Sequence, residues 1–288
     1  MQAQQFINEG KLAAALSALQ DSVRKNAADV KLRVFLFQLL AILGKWERSL
    51  TQLNVAGELD AATLPMVQTY REAIQCEALR GEIFSGARAP LIFGEPQAWL
   101  ALLIEALKFD ASKNSESAAS ARAQAFNDAP ACGGTIDGTR FEWIADADPR
   151  LGPVLEAIVN GRYFWIPMQR IRRIEFDPPV DLRDSVWTPA SFTWTNGAQT
   201  VGLIPTRYNG TAEGHDDALL LSRRTEWSES KGHGLGQRML VTDVGDYPLM
   251  DIRVIEFDVQ PPPEKFEDSE HPVEPSALDD PATGQSRG

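Results

Sequence analysis

The chain has 288 residues, of which 43% are hydrophobic and 24% are charged, and its 40 acidic and 28 basic residues give a net charge of −12. This hydrophobic fraction is ordinary for a globular protein, so bulk disorder is not expected, and the length allows two domains with cores of their own. The acidic balance argues against sequence-independent nucleic-acid binding and against anionic membrane surfaces, because both require a basic surface.

A short sequence motif near the start of the chain occurs twice. Gly10-Lys11-Leu12 returns as Gly44-Lys45-Trp46, and each copy is followed by two leucines at matching positions. The offset of 34 residues is the period of a tetratricopeptide (TPR) helix pair. Such pairs stack on one another and leave a groove, which usually binds a peptide or helix of another protein. The repeat therefore favours a binding function.

Residues 1 to about 128 are predicted to be helical, because apolar residues recur along them at helical spacing, as at Val30, Val34 and Phe37. Asp29 directly precedes this run and is placed to cap the helix that it begins. Together with the repeat, the pattern predicts a helical, TPR-like domain over residues 1–130.

A third long helix is expected to open at Thr63-Leu64-Pro65, since proline suits the first turn of a helix, and to run to about Phe84. The next segment, Gly86 to Pro96, is rich in glycine and proline and is expected to be a loop. Two further helices should follow, the second ending near Phe126.

The composition changes at Ala129-Pro130, after which short aromatic and β-branched runs alternate with turn residues. These runs predict a β-rich domain with one or two helices over residues 131–258, and hence an α+β fold. Asn196-Gly197 lies between two of the runs and is the strongest hairpin signal in the chain. The predicted strands are Phe141 to Ile144, Tyr163 to Pro167, Ile171 to Phe176, Val186 to Trp194, Thr200 to Ile204, Gln237 to Thr242 and Ile252 to Phe257.

One helix is predicted in this half, from Pro149 to Val159, with Asn160-Gly161 as its stop signal. Beyond residue 258 the chain becomes rich in proline and acidic residues. From Gln260 to Gly288 it holds seven acidic and two basic residues. Such a composition cannot bury enough apolar surface to offset the entropy of ordering, so residues 259–288 are predicted to be a disordered acidic tail.

Two cysteines, Cys76 and Cys132, are too few for a disulfide framework, and neither lies in a Cys-x-x-Cys motif that would indicate structural zinc. The first residues lack the basic and apolar regions of a signal peptide. The longest strongly apolar stretch, Val34 to Leu43, is too short to cross a membrane. We therefore expect a cytoplasmic protein without membrane insertion.

Carboxylates lie close in sequence at Asp146 and Asp148, and again at Asp177, Asp181 and Asp184. Catalysis would require such groups to converge in a pocket, whereas turn and capping roles are commoner for aspartate beside proline and glycine. The three histidines lack the spacing of a zinc site. We therefore predict no catalytic residues, no metal site and no cofactor.

The sequence Gly232-x-Gly234-x-Gly236 resembles a phosphate-binding loop only superficially. A phosphate loop continues with lysine, a serine or threonine, and a helix, whereas a predicted strand follows here. The glycines are therefore expected to give a flexible approach to that strand.

Tryptophan is concentrated in the second half of the chain. Core positions are the commoner role for such large rings, but tryptophan, tyrosine and arginine are also the preferred anchors of protein interfaces. Arg207 and Tyr208 come first among the candidates, because they begin a loop after a predicted strand and place a planar cation beside a ring. The candidate partner-binding residues are Arg207, Tyr208, Trp187, Trp194 and Trp227.

Several motifs of the chain are long and specific. They are Phe141 to Glu156, Asp181 to Pro189, Leu203 to Tyr208 and Gly234 to Leu240, with Leu32 to Leu40 and Gln68 to Glu77 in the helical half. These motifs resemble those of the ImpE/TagJ family of accessory proteins of bacterial type VI secretion. The resemblance covers about residues 8 to 257 and leaves out the acidic tail.

This resemblance implies a non-enzymatic role in the cytoplasm of a Gram-negative bacterium. Members are taken to bind the small subunit of the contractile sheath through a segment near that subunit's N-terminus, and to influence sheath handling by the ClpV ATPase. Two binding modes stay open: a helix of the partner in a groove of the repeats, or a strand added to the β-rich half.

Two other functions also stay open. One is a hydrolase-like enzyme with a carboxylate and arginine site in the β-rich half, formed by Asp177, Asp181, Arg183, Asp184 and Arg207. The other is a scaffold that uses the repeats for self-association.

Overall fold

The structure is a computed structural model that describes residues 2–228 and 232–258; the predicted acidic tail, residues 259–288, lies outside this described part. The first half is helical, as predicted. No helix of the described part is both long enough and apolar enough to cross a membrane. The elements of this half are α1 (Gln2–Asn8), α2 (Leu12–Lys25), α3 (Val30–Ile42), α4 (Trp46–Leu59), α5 (Leu64–Phe84), β1 (Leu91–Ile92), α6 (Ala98–Ala111) and α7 (Ser115–Asp128).

The sequence repeat corresponds to a repeat in backbone geometry. Gly10 and Gly44 both have positive φ angles, +70° and +64°, and a 14-residue helix begins two residues after each of them. In both copies the glycine N–H bonds to a carbonyl three residues back, and the following lysine N–H bonds to one five residues back. This is the Schellman motif, in which a left-handed glycine ends one helix. The 34-residue period therefore marks two equivalent helix-to-helix turns.

The expected signals at two other helix ends are also present. The Asp29 side chain accepts a hydrogen bond from the Leu32 N–H at 3.2 Å, as a capping residue of α3 should. Pro65 lies in the first turn of α5, and this helix ends at Phe84 as predicted.

The second half is β-rich, as predicted, and the chain has an α+β fold. Its one α-helix within the described residues is four residues long. The elements are β2 (Gly134–Ile136), β3 (Thr139–Phe141), β4 (Ile144–Asp146), β5 (Val154–Val159), β6 (Arg162–Pro167), β7 (Ile171–Phe176), β8 (Trp187–Trp194), β9 (Gln199–Pro205), α8 (Asp217–Leu220), β10 (Thr225–Trp227), β11 (Gly234–Gly236), β12 (Met239–Thr242), β13 (Asp246–Pro248) and β14 (Val254–Phe257).

The largest sheet within the described residues has the strand order β1-β6-β5-β9-β8-β7-β14-β2-β3. β8 and β9 form the predicted hairpin, and Gly197 in its turn has a φ of +85°. A smaller sheet has the order β13-β12-β4, and β10 pairs with β11. The edge strand β1 runs parallel to β6 and comes from the segment that was expected to be a loop. A strand from the helical half thus completes the large sheet.

The predicted helix from Pro149 to Val159 is wrong. Residues Val154–Val159 form β5, which pairs with β6 on one side and β9 on the other. Every residue of β5 is buried, so apolar side chains point to both faces of the sheet and the alternation of a half-buried strand is missing. Gly152, which has a φ of +53°, and Pro153 interrupt regular secondary structure just before β5.

Two hydrophobic clusters lie on the two faces of the large sheet. One contains side chains of α1 to α7 together with Ile158, Trp165 and Trp187 of the sheet. The other contains Leu155 and Ala157 of β5 and side chains of the smaller sheet. The helices therefore pack on one face of the large sheet, and the smaller sheet packs on the other.

Candidate functional site

Helix α5 meets the large sheet through a buried ion pair. Arg80 donates to both carboxylate oxygens of Glu156 in β5, with Nε 2.6 Å from Oε1 and Nη2 3.0 Å from Oε2. Nη2 also donates to the Arg207 carbonyl at 2.8 Å. Two parallel bonds of this kind fix the orientation of both groups, because the guanidinium is planar. The pair thus links α5 to β5 in a defined orientation.

Glu156 also has a second cationic partner. Arg238, which is fully buried, pairs with both Glu156 and Asp146. Burial alone would raise the pKa of Glu156, but the attraction of Arg80 and Arg238 outweighs it and lowers that pKa to about 2. Burial raises the pKa of Asp146 to about 6, because Arg238 offsets it only in part. We call Arg80, Glu156, Arg238 and Asp146 the junction network.

The other member of the first carboxylate pair is held in the same way. Asp148 accepts from Nε and Nη2 of Arg150 at 2.9 and 2.5 Å, and from the Gly234 N–H at 2.9 Å. These bonds overcome the effect of burial and lower the pKa of Asp148. Asp146 and Asp148 therefore each have an arginine partner, and their chemistry is that of buried structural ion pairs.

Arg207, the first candidate anchor, is buried at the ends of two helices. Its Nη1 donates to the Ile42 carbonyl at 2.7 Å and to the Leu220 carbonyl at 2.8 Å. These are the last residues of α3 and α8, whose carbonyls carry partial negative charge and lack partners within their helices. Burial lowers the pKa of Arg207 to about 10. Its contacts are those of a shared cap for both helices.

Tyr208 is also buried and lies beside the junction network. Its hydroxyl donates to Asp146 Oδ1 at 3.1 Å and accepts from the Met239 N–H at 2.9 Å. The ring covers Gly234 so closely that a Cβ there would lie 2.3 Å from it. On its other flank the ring of Trp227 lies 5.6 Å away between centroids. Trp227 is 44% exposed.

The remaining two tryptophans are buried in different clusters. Trp187 lies between the rings of Trp46 and Tyr70, and its Nε1 donates to Glu77 at 3.0 Å. Trp194 stacks on a phenylalanine and donates to Thr200 Oγ1 at 3.1 Å. Of the five candidates, Arg207, Tyr208 and Trp187 lie near the junction network, and Trp227 is the one with a large exposed surface. That these residues bind a partner stays a prediction.

The residues of the open enzyme hypothesis have separate roles. Asp177 is exposed, whereas buried Asp184 accepts from the N–H groups of Val180 and Asp181 at 2.8 Å each. Asp181 in turn pairs with Arg183. The Asp181 side chain also accepts from the Asp184 N–H, and this bond and the bond from the Asp181 N–H to Asp184 together form a capping box on the short 3-10 helix Leu182–Ser185. Arg207 contributes to the helix ends described above, so the structure does not gather the five side chains into one site.

A groove of about 730 Å³ lies where α1, α3 and residues 179–185 meet. Sequence reasoning expected a groove beside the repeats but gave no sign that residues 179–185 form one wall. We call it the α3 groove. Its apolar lining is Ile7, Val30, Val34, Phe35, Pro179, Val180, Leu182 and Leu221, and its polar lining is Gln4, Asn8, Lys31, Gln38, Asp60, Thr63, Asp181, Ser185 and Arg223.

Val180 stands at the lip of the α3 groove with 88% of its surface exposed. The wall that carries it is held firmly, because the capping box fixes its backbone and the Arg183 guanidinium lies 4.7 Å over the Tyr70 ring. The exposed Val180 side chain is therefore carried by a fixed segment of the chain.

A small cavity and the distribution of metal-ligating side chains also bear on catalysis. A cavity of about 290 Å³ beside Arg207 is lined by Glu77, Arg80 and the 207–213 loop, and Glu77 already accepts from Trp187. Within residues 2–228 and 232–258, no cluster of three or more histidine, cysteine, aspartate and glutamate side chains is placed to hold a metal ion.

Comparison with known proteins gives three similarities. The family model described as "ImpE protein" matches residues 138–256. The type VI secretion system accessory component TagJ of Pseudomonas aeruginosa is 52% identical over 258 residues, which are 90% of this chain and 92% of that protein. The X-ray structure of protein VPA1032 from Vibrio parahaemolyticus superposes with a TM-score of 0.82 at 25% identity, covering 90% of this chain and 98% of that one. The similarity thus extends through both halves.

Proposed function

The chain belongs to the ImpE protein family, and on that premise we propose that it is a cytoplasmic accessory protein of a type VI secretion system, without catalytic activity. The support is its 52% identity, over nine-tenths of its length, to a protein named as such an accessory component. Within this role we propose that it binds the N-terminal segment of the small contractile-sheath subunit, and so modulates the handling of the sheath by the ClpV ATPase.

The α3 groove is the observation that carries this proposal. An amphipathic helix binds by placing apolar side chains, three and four residues apart, into an apolar groove with a polar rim. The α3 groove offers both kinds of contact, with Val34, Phe35 and Leu182 among its eight apolar lining residues and Lys31 and Arg223 among its nine polar ones. Its volume of about 730 Å³ accommodates several side chains of one helical face.

The absence of catalysis is supported by the state of the buried carboxylates. Asp146, Asp148 and Glu156 are each paired with at least one arginine, and Asp184 accepts two backbone N–H groups. A general base or nucleophile needs a carboxylate that can reach a substrate. These four instead hold the fold together.

Strand addition has its own candidate place. β4 is an edge strand of the smaller sheet, and an apolar groove of about 530 Å³ lies beside it. Phe126 and Trp143, both more than a third exposed, line this groove. An extended partner segment would pair with β4 and place a side chain between these rings.

A capture experiment tests the proposal. The purified chain should retain the full-length sheath subunit and should not retain the subunit without its N-terminal segment. Val180→Asp should weaken capture, because it places a charge at the lip of the α3 groove. Val201→Asp is the matched control, since Val201 is 75% exposed on β9 and does not line that groove.

The outcomes separate the binding modes. If Trp143→Ser weakens capture while Val180→Asp does not, the partner adds a strand to β4 instead. Equal capture of the two forms of the sheath subunit would refute binding through its N-terminal segment.

A further inference from the structure

A second groove lies on the opposite face of α3, between α2, α3 and α4. Because a helix turns by about 100° per residue, Arg33, Leu36 and Leu40 point away from the side of α3 that carries Val34 and Phe35. The volume of this second groove is about 380 Å³. We call it the arginine groove, and its lining is Gln20, Val23, Arg24, Arg33, Leu36, Leu40, Arg48, Thr51 and Gln52.

Among the residues that the structure describes, three arginines and no acidic residue line the arginine groove. Arg24 is exposed and forms a 2.5 Å pair with Asp21 just outside it. Arg33 is oriented by the Ala27 carbonyl at 3.0 Å and by Gln52 at 2.7 Å. Arg48 is exposed and has no side-chain hydrogen bond or salt bridge to any described residue. A concave site with this positive charge is unexpected in a chain whose net charge is −12.

We propose that residues 259–288 of the same chain bind in the arginine groove. This segment holds seven acidic and two basic residues, so its charge is complementary to that of the groove. Glu264, Glu267 and Asp268 all lie within two residues of Phe266, where Lys265 is the single basic residue. A phenylalanine among carboxylates matches a groove whose arginines surround the apolar side chains of Val23, Leu36 and Leu40.

The length of the segment allows this contact. Thirty residues follow Asp258, and an extended chain of that length spans roughly 100 Å. A compact chain of about 260 residues has a radius of gyration of only about 18 Å. The segment can therefore reach any part of the surface. Attachment to the same chain also gives it an effective concentration of about millimolar order, which favours it over an acidic segment of another protein.

The contact should be reversible and sensitive to salt. Exposed ion pairs are individually weak and are screened over about 10 Å at ordinary ionic strength. When bound, the segment would cover the three arginines and leave the α3 groove open on the other face of α3. The inference therefore does not depend on the proposed binding of the sheath subunit.

Paramagnetic NMR on the full chain tests the proposal. A spin label is attached through Ser269→Cys, since Cys76 and Cys132 are buried. The amide signals of residues 20–24, 36–40 and 48–52 should lose intensity, compared with the same sample after reduction of the label. This loss of intensity should disappear in 0.5 M salt, because the Debye length is then only about 4 Å.

A pair of charge variants identifies the groove. Arg24→Glu with Arg48→Glu should restore the signals of residues 36–40, whereas Lys25→Glu with Lys45→Glu should not. The control makes the same charge change at neighbouring exposed positions that do not line the groove.

Three results would overturn the proposal. They are full intensity at the groove in the labelled chain, equal recovery in the two pairs of variants, and intensity loss at a different surface alone. A mixed sample tests whether the segment binds within its own chain. It contains one chain that carries the spin label without isotope labelling and a second chain that carries the isotope label without a spin label. Loss of signal in that mixture would show that the groove takes the segment of another copy, which contradicts binding within one chain.

Discussion

Arg80 and Glu156 are 76 residues apart in sequence, yet they form a doubly bonded, buried ion pair between α5 and β5. Arg238, which immediately precedes β12, reaches the same carboxylate from the smaller sheet. The Glu156 side chain thus connects α5, the large sheet and the smaller sheet. A buried charge is costly unless it is paired, so each layer depends on the others at this point.

Removal of Arg80 should therefore be strongly destabilising. We expect Arg80→Ala to lower the free energy of unfolding by about 3–5 kcal/mol, because Glu156 keeps its buried charge and loses a partner. Urea denaturation followed by tryptophan fluorescence measures the change. Arg88→Ala is the control: Arg88 pairs with Glu82 at the surface, and we expect it to cost less than about 1 kcal/mol. Similar losses in the two variants would contradict the role of the buried pair.

The junction network should make stability depend on acid pH. The pKa of Glu156 is lowered from 4.5 to about 2 in the folded chain, so its charged form stabilises the fold above pH 4.5. This stabilisation is lost as pH falls from 4.5 towards 2. We expect the difference in unfolding free energy between the native chain and Glu156→Gln to shrink over that range. A constant difference between pH 5 and pH 2.5, measured by denaturant titration, would rule this out.

Arg207 and Trp227 should respond differently to truncation. Arg207→Ala leaves the carbonyls of Ile42 and Leu220 without their donor, and we expect a loss of about 1–3 kcal/mol in stability. Trp227→Ala removes an exposed ring and should cost less than about 1 kcal/mol. Thermal unfolding compares the two.

The folded Trp227→Ala variant then tests the predicted partner contact. A loss of about 2 kcal/mol in affinity for the sheath subunit would place Trp227 in the interface. Unchanged affinity would remove it from the candidates.

The two equivalent glycines should tolerate alanine unequally. Both have positive φ angles, which cost an alanine about 1–2 kcal/mol. Of the described residues, a Cβ at Gly10 would meet only Arg223 Nη1, at 3.8 Å, whereas a Cβ at Gly44 would lie 2.6 Å from the Cβ of Ala212. We expect Gly44→Ala to be the more destabilising of the two in chemical denaturation. Equal losses would mean that the 211–213 turn moves aside without cost.

Features that depend on neighbouring residues could be predicted from the sequence. The repeated Gly-Lys turns, the Asp29 cap and the Asn196-Gly197 hairpin all involve bonds between residues close in sequence. β5 could not be recognised in this way, because a strand buried on both faces lacks the alternation that distinguishes a strand from a helix.

The site was harder to predict for the same physical reason. Arg80, Glu156 and Arg238 are far apart in sequence, and nothing local marks any of them as a partner of another. The α3 groove likewise needs residues 179–185 beside α3, a contact that only the folded chain creates. Burial of Arg207 and Tyr208 follows from helix ends and a glycine backbone that come together only in three dimensions.

The position of β1 bears on how the protein can be divided. A chain cut near Pro130 would take β1 away from β6 and leave Glu156 without Arg80. The separated β-rich piece would then carry an unpaired strand edge, and its buried Glu156 and Asp146 would share Arg238 as their one remaining arginine partner. Shorter versions made for crystallisation or interaction screening should therefore keep residues 64–92 with the sheet, or supply them as a co-expressed fragment.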